Sequence, residues 1–105
     1  MRASHILLEH RMRWPPAAQR HPRSEEEAVR QLTELRDRIA DGESFGELAR
    51  AHSDCPSKSD GGDLGRFGRG QMAARFESAA WALAVGEVSG VVHTEFGVHL
   101  IKRTE

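Results

Sequence analysis

Apolar positions along this chain fall at two kinds of spacing, and the switches between them outline its elements. Ala3 to Leu8 (ASHILL) is a brief apolar run followed by charge, which predicts a short strand. From Ser24 the period changes. Ala28, Leu32, Leu35 and Ile39 recur at steps of four, three and four, the buried stripe of a helix. Ser24 and Glu27 stand at capping-box spacing, and Glu25, Glu26 and Glu27 suit the positive helix end. Gly42 ends this helix. Ser44 and Glu47 repeat the capping box, and Phe45, Leu48, Ala49 and His52 share a face of a second helix running to Ala51 or His52. Leu64 to Phe67 reads as a short extended piece between glycines. Ala73 to Ala84 is a third helical segment, with Phe76, Ala80 and Leu83 on one side and Gly86 as its stop. Val88 to His93 and Val98 to Arg103 read as two strands. They join across Thr94, Glu95, Phe96 and Gly97, where the glycine is available for a positive φ.

The order is therefore strand, helix, helix, short strand, helix, strand, strand, without internal repeats. It predicts an α+β fold, a small and mainly antiparallel sheet covered by helices. A first strand inserted beside the last one brings the chain ends together in mid-sheet. Alternation then puts His5 and Leu7 on one face, and His99 and Ile101 on one face. If those faces coincide, the two imidazoles become neighbours.

At 105 residues the chain is read as one domain, 1–105, large enough for a single modest core. A net charge of −1 leaves no global field to drive it onto nucleic acid or anionic membrane, so any recognition of charge must be local. Apolar runs are far too short to span a bilayer, and MRASHILLEH lacks a secretory core, so the expected location is the cytoplasm. The one cysteine, Cys55, cannot form an internal disulfide. Residues Arg11 to Arg23 form a basic loop broken by Pro15, Pro16 and Pro22.

The chemistry concentrates between His52 and Phe76 (HSDCPSKSDGGDLGRFGRGQMAARF). This long connection is dense in glycine, which allows backbone to approach a ligand, and it closes on apolar Met72 and Phe76. Cys55 with a distant histidine invites a thiolate–imidazole reading, but the pattern alone favours an inert, partly buried thiol. His52, Asp54 and Cys55 match no zinc spacing, and GGDLGRFGRG lacks the Lys-Ser/Thr ending of a phosphate loop. No metal and no cofactor are expected. His5 and His99, taken singly, read as satisfied core histidines; as a converging pair they point to a site.

Three segments in order resemble the parvulins, a family of peptidyl-prolyl cis/trans isomerases. They are SHILLEH at the start, HSDCPSKSDGGDLGRFGRGQM in the middle and FESAAWALAVGEVSGVVHTEFGVHLIKRTE at the end, which together cover nearly the whole chain. The resemblance implies a four-stranded antiparallel sheet surrounded by helices, with the active cleft on one sheet face. By position it implies His5 and His99 as the family's paired histidines and Thr94 as their hydrogen-bonding threonine. Cys55 falls where the family has Cys or Asp. Leu64, Met72 and Phe76 match the proline-ring pocket, with Phe67 and Gln71 as further lining and Phe96 at the rim. Proline-containing peptides or protein clients are the implied partners, in protein folding and on a monomer, without nucleic acid or membrane. A non-catalytic binding or chaperone module that keeps the cleft is the alternative, and a Cys–His hydrolase is a more distant one.

Parvulins that prefer phospho-Ser/Thr-Pro carry a basic cluster after the first strand. Arg11 and Arg13 are the counterparts here and the implied anion-binding pair. Glu9 stands where those members have lysine, and Trp14 takes the place of one arginine. The expectation is an isomerase with at most a moderate preference for acidic or phosphorylated residues before proline.

Overall fold

The computed structural model describes residues 1–11 and 22–105. Its elements are β1 (Arg2–Leu8), α1 (Glu25–Ala40), α2 (Phe45–His52), a short 3₁₀ turn (Pro56–Asp60), β2 (Asp63–Arg66), α3 (Ala74–Ala82), β3 (Val92–Thr94) and β4 (Gly97–Arg103). The four strands form one antiparallel sheet in the order β2-β1-β4-β3. The first and last strands are thus the central pair, in the α+β arrangement expected. Arg13, Trp14 and Arg20 of the basic loop lie outside the described residues.

Both capping boxes form on their serine side. The Ser24 hydroxyl accepts the Glu27 N–H at 3.1 Å, and the Ser44 hydroxyl accepts the Glu47 N–H at 3.3 Å. These side chains satisfy N–H groups that the first helical turn leaves unpaired. Helix α1 buries Ala28, Leu32 and Leu35 as its period predicts. Its neighbour α2 buries Phe45, Leu48 and Ala49, while His52, at the last turn of the same face, stays exposed at its edge near Leu8 and Leu35.

Strand alternation divides the interior in two. Ile6 and Leu8 of β1 and Val98 and Leu100 of β4 point to α1 and α2 and form one core with them. Ala3 and Ile101 point the other way, into a second cluster with Phe67, Phe76, Ala80 and Leu83. Because helices cover both faces, the six residues from Ala3 to Leu8 are all buried, which explains why β1 is apolar without alternating.

The segment read as a strand from Val88 to His93 is regular only at its end. Val88 bridges Lys102, and Val92 pairs with His99, so four steps on one chain face three on the other. The extra residue forces a bulge. Ser89 fills the gap: its hydroxyl accepts the Ile101 N–H at 2.9 Å, and its own N–H donates to the Ile101 carbonyl at 2.8 Å. The β3–β4 turn does use its glycine. Gly97 has φ +144°, and a Cβ there would stand 2.5 Å from the Leu8 carbonyl oxygen.

Candidate active site

The register of the central strands decides where the histidines go. Leu7 faces His99 and His5 faces Ile101, so His5 and His99 are diagonal neighbours on the α3 face. Their Nδ1 atoms are 3.0 Å apart, and the rings stack with centroids 5.2 Å apart. Both are buried, at 5% and 3% exposure. Phe76 from α3 presents its ring nearly perpendicular to each, at 5.6 Å from His5 and 5.3 Å from His99.

An Nδ1–Nδ1 contact of this length requires one proton between the two nitrogens. Burial holds the rings neutral. It pulls His5 down to about 4. It pulls His99 down to about 3, with repulsion from His5 adding to the effect. Thr94 fixes the outer end of the pair, its hydroxyl 2.7 Å from His99 Nε2. The same oxygen accepts the Phe96 N–H at 3.2 Å. Two neutral tautomer chains satisfy this line. In one, Thr94 donates to His99, which donates to His5. In the other, His5 donates to His99, which donates to Thr94. In both, His5 Nε2 stays buried without a partner among the described residues.

Cys55 reaches the same face from the loop after α2. That loop is stitched to β1: the Asp54 N–H donates to the Leu7 carbonyl at 2.7 Å, and the Leu7 N–H donates to the Ser53 hydroxyl at 3.1 Å. The Cys55 N–H shares the Ser53 oxygen at 3.3 Å. The half-buried thiol accepts a hydrogen bond from the Ser57 hydroxyl at 3.1 Å. Its partner is therefore a serine, while the imidazoles are bonded to each other and to Thr94.

These groups enclose a cavity of about 210 Å³ lined by His5, Leu7, Cys55, Leu64, Met72, Ala73, Phe76, Thr94, Phe96 and His99. All four residues expected to carry chemistry (His5, Cys55, Thr94 and His99) meet there. Of the expected lining, Leu64, Met72, Phe76 and Phe96 are present, the last keeping 58% of its surface exposed at the mouth. Phe67 and Gln71 are not. Phe67 is buried in the core with its centroid 6.3 Å from that of Phe76, so it backs the wall from behind. Gln71 is exposed, and its side-chain amide oxygen accepts the Gly68 N–H at 2.8 Å, closing a turn. Leu7 and Ala73 line the cavity unannounced. Leu7 was findable, because alternation puts it on the face of His5. Ser53 and Ser57, which seat the cysteine, carry no sequence signal beyond lying two residues to either side of it.

The expected anion site is only partly described. Arg11 is exposed after β1, its N–H donating to the Arg23 carbonyl at 2.8 Å, while Arg13 lies outside the described residues. Arg23 is spent internally, on the Glu9 carbonyl at 2.8 Å and the Asp54 carboxylate at 2.9 Å. Among the described residues no cluster of three or more His, Cys, Asp or Glu converges as a metal site, and no helix is long and apolar enough to cross a membrane.

Comparison with known proteins agrees on one kind of molecule. The Rotamase family model, a PPIC-type PPIase domain, matches residues 5–105. The chain is 47% identical over 112 residues to the peptidyl-prolyl cis-trans isomerase Pin1 of Digitalis lanata, covering 99% of this chain and 95% of that one. It is 46% identical to the Pin1 of Arabidopsis thaliana over 99% of this chain and 94% of that one. Among solved structures it superimposes on the peptidyl-prolyl isomerase ESS1 from Candida albicans with a TM-score of 0.88 at 40% identity, over 99% of this chain and 62% of that one. The solution structure of TbPIN1 gives a TM-score of 0.87 at 38% identity, over all of this chain and 96% of that one.

Proposed function

This chain belongs to the PPIC-type rotamases, the parvulin family of peptidyl-prolyl cis/trans isomerases, and from that premise we propose how its own residues turn a prolyl bond. The activity is isomerisation of X–Pro peptide bonds. We read the chain as a monomeric single domain acting on proline-containing peptides and protein clients.

No covalent bond changes in this reaction. The obstacle is amide resonance, a barrier of roughly 18–20 kcal/mol. Catalysis consists of binding the twisted amide more tightly than either planar isomer, and each 1.4 kcal/mol of that difference is about tenfold in rate. A planar amide is the more polar of the two, because resonance loads its oxygen with negative charge. Twisting removes that charge and pyramidalises the nitrogen. A dry, apolar slot therefore disfavours the planar forms relative to the twisted one.

The observation that carries this reading is the cavity itself. Leu64, Met72 and Phe76 hold the ring, and the two neutral imidazoles form a polar but uncharged floor. A cationic floor would grip the planar carbonyl and raise the barrier. Thr94 anchors the outer ring nitrogen of His99 and so fixes the orientation of the pair. Cys55 stands beside the carbonyl as a weak hydrogen-bonding group that replaces water without matching its grip. Its bond to Ser57, with no imidazole at hydrogen-bonding distance among the described residues, supports this role over a nucleophilic one.

Arg11 and Arg13 give a modest attraction for Glu or phospho-Ser before proline, opposed by Glu9. Near-surface charge terms at this range are of kcal/mol order, so the preference amounts to a few-fold. Protease-coupled assays on Ala-Pro, Glu-Pro and phospho-Ser-Pro peptides test both parts. Turnover of all three, with the acidic ones favoured, is expected. Equal efficiency on all three removes the anion preference, and no turnover of any removes the prolyl site.

A further inference from the structure

The proline cavity continues beyond its rim. Ala73 and Thr94, which line it, also line a neighbouring groove of about 450 Å³ completed by Ala74, Arg75 and Glu95. One wall of this groove is the start of α3 and the other is the β3–β4 turn. Arg75 and Glu95 are both exposed. Neither side chain makes a hydrogen bond or ion pair among the described residues. This sets them apart from Arg2, Arg38 and Arg66, whose charges are matched by Asp63, Glu43 and Glu105. A cation and an anion left unmatched on one groove, next to a pocket that holds a peptide by its proline, have their charges available to that peptide.

The direction of the chain follows from the role given to Cys55, so this inference rests on the prolyl-site reading above. The carbonyl that precedes proline lies beside Cys55, a residue that lines the cavity but not the groove. Residues before proline then leave on the side of Cys55, where Asp54 accepts the Glu9 N–H. Residues after proline leave across Ala73 and Thr94. In an extended peptide successive side chains point to opposite sides, so the two walls meet consecutive residues.

We propose that Arg75 and Glu95 form a subsite for the first two residues after proline. Glu95 takes a Lys or Arg there and Arg75 takes an Asp or Glu, so a segment carrying opposite charges at these two places engages both. The pairs are solvent-exposed, and each is worth about a two- to five-fold gain in kcat/KM. The gain belongs in KM, because the contacts are the same in the planar and twisted states.

The test is a set of peptides with Ala, Lys or Glu at each of the two positions after proline, assayed at low salt with the intact chain. A second set carries the same residues before proline. Wild type is expected to favour Lys over Ala at one of the two later positions. Glu95→Gln brings that ratio to about one, and Arg75→Gln does the same for Glu over Ala. Ratios near one in wild type, ratios unmoved by the two substitutions, or a response confined to the residue before proline would each overturn the subsite. Failure of wild type to turn over even the all-alanine peptide would overturn the prolyl-site reading and this subsite with it. Turnover without charge sensitivity overturns the subsite alone.

Discussion

Acid should unfold this protein through its two buried imidazoles before it reaches the carboxylates. A histidine in an unfolded chain titrates at 6.5, whereas burial holds His5 at about 4 and His99 at about 3. Above pH 6.5 both states leave the rings neutral, and their stability is fully present. As pH falls below 6.5 the unfolded chain takes up protons that the folded chain refuses, so stability declines until the folded values are reached. At pH 5 each unfolded ring is almost fully protonated and each folded ring is not. The gap of about 1.5 pH units costs about 2 kcal/mol per ring, or about 4 kcal/mol for the pair. Both folded values lie well below pH 5, so this figure depends little on where they fall. That is a large share of the roughly 5–15 kcal/mol available to a small domain. The partnered carboxylates do not confuse the reading. Arg2 holds Asp63 low, and Arg38 and Arg66 do the same for Glu43 and Glu105, so their contributions are lost only at more acid pH. Urea unfolding at pH 7.5 and pH 5 measures the effect, as a fall in midpoint of about 2 M if m is about 2 kcal/mol per M. His5→Asn should lose about half as much as wild type, and the variant that also carries His99→Asn should lose little. Stability equal at the two pH values in wild type, or a loss of the same size in all three proteins, would refute the neutral pair.

Other substitutions probe the walls and the backbone. Phe76→Ala removes a ring that is 4% exposed and packed against His5, His99 and Phe67, so thermal melts should show a loss of about 3–5 kcal/mol and peptide assays a raised KM. Gly62 has φ +84°, and a Cβ would stand 2.3 Å from the His5 carbonyl oxygen, so Gly62→Ala should cost about 1–3 kcal/mol and shift the imidazole signals of His5 in NMR spectra. Ser24→Ala removes the acceptor for the Glu27 N–H and should lower stability by about 1 kcal/mol in urea titrations, without touching peptide turnover.

Local chemistry made most of the fold legible. The two Ser-x-x-Glu boxes placed both helix starts, because a cap acts within four residues and needs nothing from the rest of the chain. Stepwise apolar spacing placed the buried face of α1 for the same reason. The pairing of β1 with β4 was legible only as a condition: alternation says which residues share a face, but register decides whether two faces coincide. Where a tertiary partner does the work, the pattern misled. Ser89 replaces a ladder carbonyl with its hydroxyl, so a run of β-branched residues becomes a bulge before β3. The family signature implies Phe67 as lining, yet the residue after β2 packs into the core behind Phe76. Gln71 closes its own loop. The seat of Cys55 on Ser53 and Ser57 depends on how the loop docks against β1, which no spacing encodes.

Replacement of Cys55 by Asp, with exchange NMR on an Ala-Pro peptide, separates a site that twists an amide from one that attacks it. Carboxylate for thiol removes the thiolate nucleophile of a Cys–His mechanism but keeps a polar group that does not stabilise the planar carbonyl. The folded variant should retain at least about a tenth of wild-type exchange, a rise in barrier of no more than about 1.4 kcal/mol. Complete loss of exchange, in a protein whose melting curve matches wild type, would contradict the account.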